Sequence, residues 1–146
     1  MNTYASQTYK SVSVNTTVDA ANPHKLILML YDGLLRHLRL GKAYMQKGDL
    51  GAKASSLSKA ISIIDQGLRA SLDDDKGGDI AKHLRMLYDY SERQLVHANA
   101  RNDVATIDEV INLLEPLRAA WHGIGSEVTQ AKPAVAAATL PRGAVR

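Results

Sequence analysis

The residues able to carry chemistry in this sequence are few, and their spacing works against most reactions. Histidines stand at positions 24, 37, 83, 97 and 122, with no His-Glu-x-x-His arrangement to set two imidazoles on one helical face around zinc. His83 and His97 fall in one helical segment, but the helix between them is about 21 Å long, too far for a shared metal. There is no Glu-x-x-His pair of the kind that builds di-metal centres in helical bundles. Each histidine is therefore expected at the surface or its boundary. Asp73-Asp74-Asp75 followed by Gly78 matches the opening of a calcium loop, with glycine at the sixth position. The twelfth position falls on Leu84, where the bidentate glutamate belongs, so an acidic turn capping the next helix is the better reading. Gly123-Ile124-Gly125-Ser126 lacks both the Lys-Ser or Lys-Thr pair of a phosphate loop and the third glycine of the dinucleotide pattern. No Gly-x-Ser-x-Gly elbow offers a serine nucleophile. The sequence thus assigns no catalytic residue, no cofactor site and no metal ligand.

The tyrosines are more informative. Tyr31, Tyr88 and Tyr90 can each pack a flat ring while keeping a hydroxyl near water. Two tyrosines at i and i+2 on a helix point to different faces, so Tyr88 and Tyr90 cannot both be central core. At least one belongs at a rim or groove.

The elements that position these residues follow from hydrophobic period. Asn22-Pro23 is a helix start, with asparagine capping free N–H groups and proline at the first helical position, where its missing donor costs nothing. The first helix runs to about residue 46, with Ile27, Leu30, Leu34, Leu38 and Met45 in one stripe widened by Leu28 and Leu35. That face is broader than a single helix neighbour requires. Lys47-Gly48-Asp49 ends this helix and caps a second over about 49–72, which carries Leu50, Leu57, Ile61, Ile64 and Leu68. A loop is expected over 73–78, followed by a third helix over about 79–100 with Ile80, Leu84, Leu87, Ser91, Leu95 and Ala98 inward. Asp103 caps a fourth that carries Val104, Ile107, Val110, Leu114, Leu117 and Trp121. Pro116 inside it forfeits a bond and costs about 3 kcal/mol, which predicts a bend or a split near Glu115. Glycines 33, 41 and 67 each cost about 1 kcal/mol against alanine, and mark either close helix contacts or tolerated losses.

Links of a few residues force successive helices antiparallel, so the expected fold is all-α, an up-down-up-down four-helix bundle over 22–123. Residues 1–21, rich in Ser, Thr and Asn, read as an extended N-terminal arm. Residues 124–146 read as a mobile, alanine-rich C-terminal tail with room for a short fifth helix over 126–132. The chain has 146 residues, 45% of them hydrophobic, and no cysteine, which suits one domain without disulfides or thiolate metal sites. No apolar run is long enough to span a membrane, and the opening residues lack a secretory signal, so a cytoplasmic protein is expected. The formal charge is +3, but Lys132, Arg142 and Arg146 lie in the last 16 residues, which carry no acid, and residues 1–130 hold 15 bases against 15 acids. A neutral body argues against nucleic acid as a partner.

The tyrosine-bearing segments resemble the FliS family, the bacterial flagellin-specific export chaperones. The likeness rests on Asn22-Pro23-His24-Lys25-Leu26-Ile27-Leu28-Met29-Leu30-Tyr31-Asp32-Gly33, then Leu72-Asp73 with Gly77-Gly78-Asp79-Ile80-Ala81. It continues through Leu87-Tyr88-Asp89-Tyr90, Ala98-Asn99-Ala100-Arg101-Asn102-Asp103 and Leu117-Arg118-Ala119-Ala120-Trp121. The resemblance implies a non-enzymatic helical bundle that binds the flexible C-terminal segment of flagellin in the cytoplasm. Such a protein prevents premature polymerisation and delivers subunits to a component of the flagellar type III export gate. It also implies that the N-terminal arm can lie where client binds.

On this reading the surplus apolar surface of the second and third helices, with the fourth along part of it, receives the client. Ile61, Leu68, Leu84, Leu87, Tyr88 and Leu95 are the expected contacts, in competition with the protein's own core for the same side chains. Tyr9 and Val14 are the expected anchors of the arm as a removable cover. The rival reading is a structural or regulatory bundle that self-associates as a homodimer through the same surface and has no flagellin client.

Overall fold

A computed structural model of the protein describes residues 22–124. They form four long helical segments: α1 over Pro23–Lys47, α2 beginning at Leu50–Ser62, α3 over Asp74–Arg101 and α4 over Val104–Gly123. The all-α, antiparallel bundle expected from the sequence is what the chain adopts. Tyr9 and Val14 lie outside the described residues, as do the fifth helix and tail.

Each helix begins where a short polar side chain can replace a missing backbone partner. Asn22 accepts from the Lys25 N–H, Asp49 from Ala52, Asp73 from Lys76 and Asp103 from Thr106. Two helices end through a left-handed residue that turns the chain back on itself. Gly48 has φ 81° and ends α1, and Asn102 has φ 53° and ends α3.

Contacts across the seams fix the direction of every helix. Along α1 and α4, Asp32 meets Arg118, Arg39 meets Glu115, and Lys42 meets Asp108 at 2.8 Å. Numbers rise on one helix as they fall on the other, which is the signature of antiparallel neighbours. On the other flank of α1, Leu30, Gly33 and Gly41 face Gly67, Ile63 and Leu57 of the α2 segment in the same inverted order. The α2 segment meets α3 through Lys53, whose Nζ donates to the Asn99 carbonyl at 2.8 Å, and through Arg69, which pairs with Asp89 and Glu92. Lys53 is buried, and its ammonium satisfies one of the free carbonyls at the C-terminal end of α3.

The interior is one apolar cluster contributed by all four helices. Leu34 and Leu38 of α1, Leu57 and Ile64 of α2, Leu95 of α3, and Ile107 and Leu114 of α4 have no accessible surface. Burying each such side chain contributes roughly 1.5–3 kcal/mol relative to exposure, and this term holds the bundle together.

Four expectations need correction. The stretch 73–78 is not a loop throughout: α3 starts at Asp74 and makes a turn before Gly78, whose φ of 56° and ψ of −135° break it. Asp73 caps this turn, and Asp74 and Asp75 sit favourably at the positive end of the helix dipole, which outweighs the poor helix propensity of Gly77. Pro116 does not split α4, which continues as one helix to Gly123. Both Pro116 and Asn112, whose carbonyl loses its partner, are exposed, so water can satisfy that group. The α2 segment is not regular to its end. Past Ser62 it widens into a π-helical turn over Ile63–Leu68 and tightens into a 3-10 turn over Arg69–Ser71. Finally, His24 is buried rather than at the surface. Its ring stacks on Trp121 with centroids 5.2 Å apart, its Nε2 hydrogen-bonds the Trp121 carbonyl at 2.7 Å, and the Trp121 indole N–H donates to the His24 carbonyl at 2.9 Å. These two hydrogen bonds tie the start of α1 to the end of α4.

Candidate functional site

Tertiary packing divides the six sequence-derived contact residues into two groups. Leu68 and Leu95 are fully buried, and Tyr88 and Leu84 retain only 3% and 6% of their surface. Ile61 and Leu87 are half-buried, each packed against the core while keeping an open side. Sequence spacing marked all six as apolar and inward-tending, but only packing decides how much of each remains outside.

Leu72 and Ile80 have the same half-buried character and were not named from the sequence as contacts. Ile61 of α2, Leu72 at the end of its segment, and Ile80 and Leu87 of α3 thus follow one another along the chain as partly buried apolar residues packed against the core. Leu72 closes the 3-10 turn and adopts extended backbone, with ψ 140°, which carries the chain from one helix to the other. A sequence signal existed for both: Ile80 in its helical register, and Leu72 four residues after Leu68 at the end of the expected second helix.

Two polar constructions tie α2 and α3 into the bundle. The first is Tyr31 and Tyr88, whose hydroxyls meet at 2.6 Å across the interior and join α1 to α3. Burial pushes the Tyr88 hydroxyl up to about 12, and burial together with Tyr88 raises Tyr31 well above the ordinary tyrosine value. Both remain neutral at physiological pH and act as a fixed crosspiece. Tyr90 lies at the rim, half-buried, donating its hydroxyl to Glu109 of α4 at 2.6 Å. This is the division of Tyr88 and Tyr90 that their i, i+2 spacing required.

The second is Arg69, which follows the π-helical turn directly. Its guanidinium pairs with Asp65 of its own segment and with Asp89 and Glu92 of α3, the Asp89 contact being 2.9 Å. One cation thus gathers three carboxylates at the α2–α3 seam and fixes the irregular end of α2 against α3.

The opposite side of the molecule has an open slot of about 390 Å³ between α1 and α4. Its lining is Asp32, Leu35, Arg39, Glu115, Arg118 and Ala119, so two ion pairs form its walls. That lining sets two ion pairs beside the apolar Leu35 and Ala119, whereas an amphipathic helix needs mainly apolar contact. The α2–α3 surface is the better candidate. Among the described residues, no group of His, Asp and Glu is placed to hold a metal ion, and no helix is long and apolar enough to cross a membrane.

An all-α bundle with partly open apolar side chains on α2 and α3 offers the kind of surface on which an amphipathic helix of another chain can pack. Comparison with known proteins makes this specific. The family described as Flagellar protein FliS matches residues 5–128. The Flagellar secretion chaperone FliS of Salmonella typhimurium is 47% identical over 121 residues, covering 83% of this chain and 90% of that protein. Its counterpart in Vibrio cholerae is 43% identical over 121 residues, 83% of this chain and 88% of that one. The one in Bacillus subtilis is 36% identical over 113 residues, 77% and 80% of the two chains. The chain belongs to the FliS family of flagellar secretion chaperones.

Proposed function

We propose that this chain binds the C-terminal segment of flagellin in the cytoplasm, holds it out of premature polymerisation and delivers it to the flagellar type III export apparatus. The observation that carries the reading is the run of half-open apolar side chains Ile61, Leu72, Ile80 and Leu87, in a chain of this family. An amphipathic client helix laid along that run exchanges water-exposed apolar surface for contact on both partners. Ordering a flexible segment costs about 2–5 kcal/mol of the gross interaction, so tight capture requires a wide contact, of order 1,600 Å² or more. Ile61 and Leu87 meet the client directly. Leu68, Leu84, Tyr88 and Leu95 support them from behind and set the shape of the surface. Tyr9 and Val14 anchor the arm as a cover that the client displaces, and a component of the export gate receives the loaded complex. The role requires no catalysis.

Calorimetry with a flagellin C-terminal peptide, accompanied by circular dichroism, tests this. Binding with a gain of helicity is expected, and Ile61→Asp and Leu87→Asp should each weaken it at least tenfold. Absence of binding would remove the client, while full affinity in both variants would remove the assigned surface. Deleting residues 1–21 should tighten peptide binding; unchanged or weaker affinity would argue against the arm as an inhibitory cover.

A further inference from the structure

The outward face of α3 carries apolar and cationic side chains that the bundle does not use. Met86 is 66% exposed and Val96 59%, the two most open of the large hydrophobic residues. Lys82, Arg93 and Arg101 are exposed around them, and among the described residues none forms an ion pair. At about 100° per residue, these five positions and Ala100 fall within an arc of about 140°, on the side away from Leu84, Tyr88 and Leu95. From Lys82 to Arg101 the face extends about 28 Å. It is also distinct from the half-open surface of Leu87, which is turned about 100° from its neighbour Met86.

Most carboxylates near these cations are committed elsewhere, the exception being exposed Asp79, three residues before Lys82. Asp89 and Glu92 serve Arg69, Asp74 pairs with Arg85, and Glu109 accepts from Tyr90 and Gln94. Asp32, Asp108 and Glu115 are held in the α1–α4 seam. Most acids of the bundle are thus engaged within it, exposed Asp75 and Asp79 excepted, while Lys82, Arg93 and Arg101 are left outside.

We infer that this face docks an acidic amphipathic helix of a partner protein, with apolar residues over Met86 and Val96 and carboxylates reaching Lys82, Arg93 and Arg101. A second copy of this chain is poorly suited to the role, because its own carboxylates are largely engaged in the same way. The two exposed hydrophobic residues favour a protein over nucleic acid, whose phosphates gain nothing from Met86 or Val96. Opposed charges supply orientation and encounter rate, and the apolar pair supplies contact area.

The test uses the full chain and a fluorescent 21-residue helical probe with leucine on one face and glutamate beside it, measured by anisotropy. The glutamate probe should bind, with affinity falling at least tenfold between 50 and 500 mM salt. A K82Q/R93Q double variant should lose at least tenfold, and Met86→Ser a further severalfold, while circular dichroism and flagellin-peptide affinity stay unchanged. Equal binding of a lysine-substituted probe, or full affinity in K82Q/R93Q, would overturn the inference. So would stronger binding to a single-stranded oligonucleotide or to anionic phosphatidylglycerol vesicles than to the glutamate probe.

Discussion

The two flanks of α1 are built on different physics. Toward α2 the helices approach closely through glycine: a Cβ added at Gly41 would lie 2.8 Å from Leu57, and one at Gly67 would lie 3.2 Å from Leu30. Leu57 and Ile64 there are fully buried, so this seam is apolar and intolerant of added volume. Toward α4 the same helix presents Asp32, Arg39 and Lys42 to three oppositely charged partners, with an open slot between two of the pairs. Those side chains are about one-third to one-half exposed. The first seam is close-packed throughout, whereas the rim of the second carries half-exposed ion pairs that add alignment with little energy. A helix can thus be close-packed on one side while the rim of its other side stays solvated between the His24–Trp121 contact and the shared core.

Leu57→Ala should separate the flanks most sharply, lowering stability by about 2–5 kcal/mol because the cavity it leaves lies in a packed seam. Urea denaturation measures this, and a loss below 1 kcal/mol would mean that the α1–α2 contact is loose. Tyr88→Phe comes next. It strands the buried Tyr31 hydroxyl and should cost about 1–3 kcal/mol, whereas Y31F/Y88F should recover most of that loss. Since both hydroxyls titrate higher in the fold than in the unfolded chain, their stabilisation is complete below about pH 10, where unfolded tyrosine begins to ionise. It is lost as pH rises through about 12, the value to which Tyr88 is raised. The double variant should flatten that alkaline loss; an unchanged profile would place its origin elsewhere.

Smaller effects compare added volume directly. Gly41→Ala gains helix propensity but presses on Leu57, for a net loss of about 1 kcal/mol. Gly51→Ala, with nothing within 4 Å of the new methyl, should instead stabilise by up to about 1 kcal/mol. Equal shifts in thermal midpoint for the two would erase the claimed tightness of the α1–α2 seam. Arg39→Ala on the other flank should cost about 0–1 kcal/mol, shrinking further in high salt. A larger, salt-independent loss would make the α1–α4 seam structural rather than adjustable.

Much of this architecture was legible in order of residues. Asn22, Asp49 and Asp103 announced helix starts because capping is local, and Gly48 announced a stop for the same reason. Gly78 was read as part of a loop and instead breaks a helix that had already begun. Its conformation is local, but the competing pull of Asp73, Asp74 and Asp75 is a sum the sequence does not weigh. The π-helical turn before Arg69 had no signal, since it answers to contacts on α1 and α3. The family resemblance was legible because its motifs run through most of the bundle. The candidate site was only half legible: Ile61 and Leu87 stay open while Leu68, Leu84, Tyr88 and Leu95 are sealed, although all six share one hydrophobic periodicity.

The sequence by itself determined four amphipathic helices, their caps and their antiparallel order, because those depend on period, propensity and link length within a few residues. Only the tertiary structure decided which apolar side chains face another helix and which face water, and which acids are matched to which bases. Those outcomes depend on partners distant along the chain, such as Arg118 for Asp32 and Trp121 for His24, and no local pattern contains them.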